Sequence, residues 1–499
     1  MYLMLDLVSV IIEEFLWFLQ LIVVLLDIGA CITVIFLERR SPQTALTWVL
    51  VMIFLPFLGL FLYLFFGRHL YGSRIFSKKT KADLMLAAQA EEQFQKITEN
   101  ALELAPSISR FDSTIALLLS LDKAVLTRNN ELTLYTDGEM KFAAFKEAVA
   151  GAKHHIHLEY FIIRDDELGD EIIQLLAEKA AEGVEVRAIF DAAGTFSVKD
   201  EFFAPLKKAG GDVRIFFPLK VSFLNTRLHF RNHRKILVVD GVTGFIGGFN
   251  IGDEYLGKGP MGYWRDTHLR LHGKAVVALQ TRFIMDWNYA AKDAQISVED
   301  RDCPYYPEDG FLDVTGHSYV QIASSGPDSA EKAIYSGYMS LIGHAKESIY
   351  IHTPYFIPDE PMLTGLVLAA RSGIDVRIVI PCKPDHPFVY WANHSYLGDL
   401  LAAGVRGYIY NDGFIHSKAG IFDGISTTIG TANWDIRSFK LNFETNAFVY
   451  DIEFGKRMNR IFLEELETNC TEITLEEYNL RSTSVRIKEG VSRLFSALL

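Results

Sequence analysis

The sequence predicts an α/β protein of two similar halves whose sheets pack together, preceded by an N-terminal hairpin of two apolar helices. Three observations carry this prediction. One histidine-lysine pattern occurs twice with identical spacing. Short apolar runs alternate with helical patterns through both halves. Two long apolar runs come first, each long enough to cross a bilayer as a helix of about 20 residues.

The chain has 499 residues, enough for two or three domains with cores of their own. Residues 1–67 form the predicted membrane anchor. Phe15–Leu37 is interrupted by one charge, Asp27, and Ser41–Gly67 contains none. Helices are expected over about 15–37 and 45–66, joined by the link from Glu38 to Thr44. Pro56 and Gly59 fall inside the second run, which a membrane helix tolerates. A cleaved signal peptide fits poorly, because no basic region precedes the first run and a second run follows. A carboxylate inside a span is a functional candidate by default, but Asp27 reads more simply as a protonated or helix-facing group.

Residues 68–106 are expected to form a basic juxtamembrane segment and a helical linker. Arg68, Arg74, Lys78, Lys79 and Lys81 follow the second run, against Arg39 and Arg40 in the link. That bias places the large C-terminal part in the cytoplasm of a multi-pass cell-membrane protein, and it would attract anionic headgroups. Residues 107–300 and 301–499 are the two expected halves. Phe142–Gly151 and Gly169–Gly183 read as helices of the first. His157-Leu-Glu-Tyr-Phe161 is echoed by His352-Thr-Pro-Tyr-Phe356, and Gly183-Val-Glu-Val-Arg187 by Gly373-Ile-Asp-Val-Arg377. Val213-Arg214 is echoed by Val405-Arg406, in the same order, as duplication requires.

The repeated pattern itself holds the chemistry. Its first copy is His233, Lys235, Asp240, Gly247 and Asn250; its second is His416, Lys418, Asp423, Gly430 and Asn433. In both, His to Lys is two residues, His to Asp seven and His to Asn seventeen. Residues two apart on a strand share a face, so imidazole and ammonium stand side by side, an arrangement suited to a phosphate. Ile236–Val239 and Ala419–Phe422 read as buried strands. Asp240 and Asp423 complete the catalytic motif, but each precedes a Gly turn at the strand end, so a structural role is expected. Asn250 and Asn433 would add neutral donors for phosphate oxygens.

Composition narrows the classes. The net charge of −13 lacks the basic footprint of nucleic-acid binding. Cys31, Cys303, Cys382 and Cys470 are scattered without CxxC spacing, which gives no zinc or disulfide signature and suits a reducing compartment. His155, His157 and Glu159 alternate along a strand, but the echo at His352 has Pro354 in place of the carboxylate. No metal or other cofactor is expected there, and Glu159 is kept as a pocket-lining candidate. The apolar stretch Phe216–Phe230 is either an ordinary loop or a segment that dips toward the bilayer. Val491–Leu499 reads as a short amphipathic helix or a tail docked on the domain. The sequence leaves a homo-oligomer open.

From about Ser107 onward the doubled pattern resembles the phospholipase D superfamily. That resemblance implies that the two motif copies face each other across one active site. It implies phosphodiester transfer through a covalent histidine intermediate, with one His attacking phosphorus and the other serving as acid and then base. His233 is the nucleophile and His416 the acid and base on that resemblance. The two Lys and two Asn would hold the equatorial oxygens. Relatives place a carboxylate on a strand after each motif to orient its His. Asp266 and Glu444, each about thirty residues beyond a motif His, match that position.

The apolar hairpin, Glu38-Arg-Arg-Ser-Pro-Gln43 and Trp264-Arg-Asp-Thr-His268 make the chain similar to the bacterial cardiolipin synthase family. The resemblance implies transfer of a phosphatidyl group between two phosphatidylglycerol molecules, giving cardiolipin and glycerol, with anionic membrane lipids as partners and no nucleic acid. A hydrolytic phospholipase D or another phosphatidyltransferase is the nearest rival, ahead of a nuclease or an inactive scaffold. One departure stands out. The wider superfamily often has Gly-Ser-x-Asn after the motif, and Thr431 keeps that hydroxyl while Gly248 lacks it.

Overall fold

The computed structural model describes residues 2–38, 42–64, 81–99, 101–102, 104–218, 230–297, 304–307, 314–329 and 331–494. It falls into a small N-terminal unit and a large C-terminal one. The segment 68–80, most of 219–230, Cys303 and the last five residues lie outside the described chain, and the expectations placed on them stay there.

In the N-terminal unit one helix runs Tyr2–Ile32 and continues as a wider turn over Thr33–Leu37. Among the described residues, Ile11–Leu37 is the one helix long and apolar enough to cross a membrane. The second span expected at 45–66 is not continuous. A helix covers Pro42–Phe54 and a short one Leu58–Leu62, with Phe57 between them at φ 69°. Pro56 causes the break: it offers no N–H, and its ring excludes the carbonyl one turn back. Apolar composition survives a proline, but helical continuity does not. Val34, Met52 and Tyr63 form a small core, with Trp48 edge-on to Tyr63.

The large unit carries the duplication in its strands. The first half holds β1 Thr127–Tyr135, β2 His155–Tyr160, β3 Glu185–Asp191, β4 Asp212–Phe216, β5 Arg231–Asn232, β6 Lys235–Val239, β7 Thr243–Gly247, β8 Trp264–Arg265 and β9 His268–His272. The second half begins with β10 Ser318–Ser325, β11 Ser348–His352, β12 Phe356–Ile357, β13 Asp375–Pro381, β14 Arg406–Tyr410 and β15 Phe414–Ile415. It continues with β16 Ala419–Phe422, β17 Ser426–Gly430, β18 Trp434–Asp435, β19 Asn442–Tyr450 and β20 Cys470–Ile473. The first sheet is ordered β1-β9-β7-β6-β2-β3-β4, and the second β10-β19-β17-β16-β11-β13-β14 with β20 added at its edge. Position for position the two orders correspond. Antiparallel pairing of β1 with β10 joins them into one sheet of 16 strands.

Helices cover the outer faces. Phe142, Phe145, Ile172 and Leu176 of helices Gly138–Ala150 and Glu167–Ala181 pack on Leu158, Leu237 and Phe245. Leu341, Leu366 and Leu397 of three second-half helices pack on Ile351, Ile378 and Phe448. The helix Asp112–Asp122 joins this second group through Ile115 and Leu118. Between the sheets, Ile236, Val238, Ile246 and Leu269 share a core with Ile421, Ile429 and Val449. Strand β6 therefore buries Ile236 and Val238 inward and Leu237 and Val239 outward, which is why it is apolar throughout. Each such side chain stabilises the fold by about 1.5–3 kcal/mol.

The Asp-Gly pairs after β6 and β16 close both hairpins. Asp240 and Gly241 have φ 53° and 70°, and Asp423 and Gly424 have φ 54° and 61°. Two successive left-handed residues make the turn whose twist matches its flanking strands.

Candidate active site

Each histidine is delivered by a short strand paired to the opposite half. Strand β5 runs parallel to Asn442–Phe443, and the His233 N–H donates to the Phe443 carbonyl at 2.9 Å. Strand β15 runs parallel to β8, and the His416 N–H donates to the Arg265 carbonyl at 2.7 Å. The residue after each of those partners is a candidate carboxylate. His233 Nδ1 thus lies 2.9 and 3.0 Å from the Glu444 oxygens, and His416 Nδ1 lies 2.6 Å from Asp266 Oδ2. The pairing is crossed: each carboxylate follows one motif in sequence and serves the histidine of the other. Spacing along the chain carries no sign of this.

With Nδ1 occupied, each neutral imidazole has Nε2 left as its second nitrogen. Burial holds both below the usual imidazole value, His233 to about 4 and His416 to about 3, with the facing carboxylate opposing the shift. Phe161 stands edge-on to His233 at 4.9 Å, while Trp264 lies 5.2 Å from His416. Lys235 donates to the His233 carbonyl at 2.8 Å, and Lys418 donates to that of His416. Burial, followed by the charge of Lys418, lowers Lys235 to about 7; burial lowers Lys418 to about 8. Each histidine also feels the lysine of the other motif, so the two copies form one electrostatic unit.

The carboxylates are anchored differently. Glu444 accepts from the Thr431 hydroxyl at 2.5 Å and from Asn442 Nδ2 at 3.1 Å. Asp266 accepts instead from the Thr267 N–H at 2.6 Å. This accounts for the missing hydroxyl in the first copy. A Cβ on Gly248 would come within 2.0 Å of Asp266 Oδ1, so the shorter acid requires a bare backbone beside it. The hydroxyl that the second copy keeps, on Thr431, is a prop for Glu444.

Asp240 and Asp423 lie at the far end of their strands from the histidines. Asp240 accepts from the N–H groups of Lys153, His154 and His155 at 2.8–2.9 Å. Asp423 accepts from Lys346, Glu347 and Ser348 and pairs with Arg110. Asn250 donates to the Tyr255 hydroxyl at 2.5 Å, and the side-chain carbonyls of Asn250 and Asn433 have no partner among the described residues. Glu159 sits behind the site, where Asn232 Nδ2 donates to it at 2.5 Å. Burial, followed by the charge of Asp286 beside it, pushes its carboxyl well above the ordinary range. His155 and His157 are bridged by Gln280, and His157 also meets Glu185 at 3.3 Å. Among the described residues no group of three His, Cys, Asp or Glu side chains is arranged to hold a metal.

Two buried arginines were not anticipated. Arg234 joins Asp286 at 2.7 Å and Thr445, beside Glu444, at 2.9 Å. Arg265 joins Glu465 at 2.6 Å and Thr267, beside Asp266, at 2.7 Å. Their position inside or next to the motifs was the only available signal.

Residues 145–285 and 338–466 match the family described as cardiolipin synthase, PLD-like domain. A cardiolipin synthase of Listeria monocytogenes serotype 4a (strain HCC23) is 45% identical over 484 residues, covering 97% of this chain and 99% of that protein. The chain belongs to the cardiolipin synthase family. The major cardiolipin synthase ClsA of Bacillus subtilis (strain 168) is likewise 45% identical over 478 residues, 95% of this chain and 98% of that one. Residues 25–68 match the phospholipase D-nuclease N-terminal family. Among solved structures, phosphatidylserine synthase of Haemophilus influenzae Rd KW20 shares the fold, with TM-score 0.57 and 15% identity over 74% of this chain and 95% of that one. For a cardiolipin synthase family member, the crossed histidine-carboxylate pairs are the feature that the mechanism must use.

Proposed function

We infer that this phosphatidyltransferase moves a phosphatidyl group from one phosphatidylglycerol to another through a histidine adduct. The observation that carries the reading is the pair of buried imidazoles, each oriented by a carboxylate of the opposite half, between two lysines of lowered basicity.

In the first step His233 Nε2 attacks phosphorus and the P–O bond to the headgroup glycerol breaks. The arriving phosphate anion favours the imidazolium of His416, whose Nε2 gives its proton to the departing oxygen and is left as the neutral imidazole. In the second step His416 takes the proton of the terminal hydroxyl of a second phosphatidylglycerol, that oxygen attacks phosphorus, and the P–N bond breaks. Glu444 and Asp266 hold the Nδ1 protons and stabilise each imidazolium as it forms. The anionic phosphate restores full charge to Lys235 and Lys418, which then bear on the equatorial oxygens. Asn250 and Asn433 can turn Nδ2 toward the same oxygens. One phosphodiester replaces another, so no nucleotide is consumed.

Membrane association follows from the apolar helix and the lipid substrates. The basic residues Arg68, Arg74, Lys78, Lys79 and Lys81 favour a cytoplasmic catalytic unit. The multi-pass reading keeps both apolar segments in the bilayer, the second with its break at Pro56.

Incubating the purified full-length protein with phosphatidylglycerol alone and identifying the lipids by mass spectrometry tests the reading. Cardiolipin with free glycerol is expected. Phosphatidic acid without cardiolipin would make the enzyme a hydrolase, with water in place of the lipid acceptor.

A further inference from the structure

Two exposed phenylalanines occupy matching places in the two halves. Phe196, 80% exposed, lies just after β3, and Phe388, 52% exposed, just after the corresponding strand β13. Both segments border the catalytic groups. Asp191, at the end of β3, accepts from the N–H of Asn232, the residue before His233, at 2.7 Å. Gly194 lies against the Phe161 carbonyl, where a Cβ would come within 1.9 Å, and the Phe161 ring is the one edge-on to His233. In the second half Tyr355 donates to Asp385, whose charge reaches Lys418. Asn393, on the helix that begins at Pro387, accepts from Phe356 N–H at 2.8 Å and donates to the Pro354 carbonyl at 2.7 Å.

We propose that the segments carrying Phe196 and Phe388 insert into the upper part of a phospholipid bilayer and hold the mouth of the site against it. The proposal rests on the transferase reading above. Three observations favour a bilayer over a protein partner. The reacting phosphorus of a lipid is joined to its acyl chains through a single glycerol, so it reaches the histidines only if the mouth lies at the membrane surface. Exposed rings at matching places in the two halves suit a flat partner of uniform chemistry, since both halves then meet the same material. The apolar helix Ile11–Leu37 gives the chain its own means of staying at that surface.

The test uses the full-length protein and two forms of one substrate. Dioleoyl phosphatidylglycerol is presented in Triton X-100 mixed micelles, and dihexanoyl phosphatidylglycerol as monomers below its critical concentration. The double variant Phe196→Ser, Phe388→Ser is expected to lose about tenfold or more in kcat/KM on micelles, through KM, because two rings no longer enter apolar surroundings. On the monomeric lipid it is expected to stay within about twofold of wild type, and its thermal midpoint should not move. The double variant Phe196→Trp, Phe388→Trp is expected to keep both activities. In proteoliposomes containing dibrominated phosphatidylglycerol, its emission should be quenched more than that of wild type. Unchanged micelle kinetics in the serine variant, an equal loss on both substrate forms, or no added quenching in the tryptophan variant would overturn the proposal. Wild type that makes cardiolipin from neither form would instead defeat the transferase reading.

Discussion

His233 and His416 are imidazoles with one nitrogen already committed, and their behaviour depends on what holds that nitrogen. Glu444→Gln and Asp266→Asn leave a hydrogen-bonding group in place but favour the wrong tautomer. Each is expected to lower kcat by on the order of 10²–10⁴, the upper end being the cost known for such a tautomer error. Because the pairing is crossed, Glu444→Gln should reproduce the step-specific defect of His233→Gln, and Asp266→Asn that of His416→Gln; pre-steady-state kinetics would show the opposite matching if the pairs were local. Lysine ionisation sets the pH response. Lys235 loses its proton at about 7 and Lys418 at about 8, so kcat/KM is expected to fall as pH rises through this range. A profile that stays flat to pH 10 would contradict that role. The depressed imidazoles act on stability. They are neutral in the folded protein down to about 4 and 3, against an ordinary value of 6.5, so their contribution is full above 6.5 and is lost as pH falls toward 4. The histidines and lysines of the candidate site stand out in the doubled pattern, and the two carboxylates were suggested by the family resemblance alone. The role of Thr431 was not legible, because a hydroxyl in a motif reads equally as a substrate contact or a prop.

At the level of elements, the motif aspartates hold strands rather than substrate. Each satisfies three N–H groups at the start of a neighbouring strand. Asp240→Ala is expected to cost about 1–3 kcal/mol for the donors left unpaired, seen as a lower denaturation midpoint, with kcat of the folded fraction nearly unchanged. A loss of turnover without loss of stability would return Asp240 to the chemistry. Strands β6 and β16 could be read from the sequence because burial on both faces makes them apolar throughout. The two-residue strands β5 and β15 could not, since nothing local marks them: they exist only because the other half supplies a partner. The second apolar run failed as a continuous helix for the reverse reason, a local rule at Pro56 overriding a sound compositional signal.

The molecule as a whole is a duplication whose copies have been joined edge to edge and made to complete each other. Matching strand order was foreshadowed by the sequence echoes, whereas the exchange of carboxylates arises only when the sheets face each other. Loss of either histidine should therefore silence the whole enzyme: His233→Ala and His416→Ala are each expected to abolish cardiolipin formation while remaining folded and membrane-bound. Activity is also expected to withstand EDTA, since Lys235, Lys418, Asn250 and Asn433 supply the charge and hydrogen bonds that an ion would otherwise give. The most direct test of the covalent two-histidine route gives the His416→Ala variant phosphatidyl-p-nitrophenol, whose leaving group needs no proton. One equivalent of nitrophenol should be released, and mass spectrometry after a basic quench should find the phosphatidyl group on the His233 peptide. Release by His233→Ala with the adduct on His416, or no adduct in either variant, would contradict it.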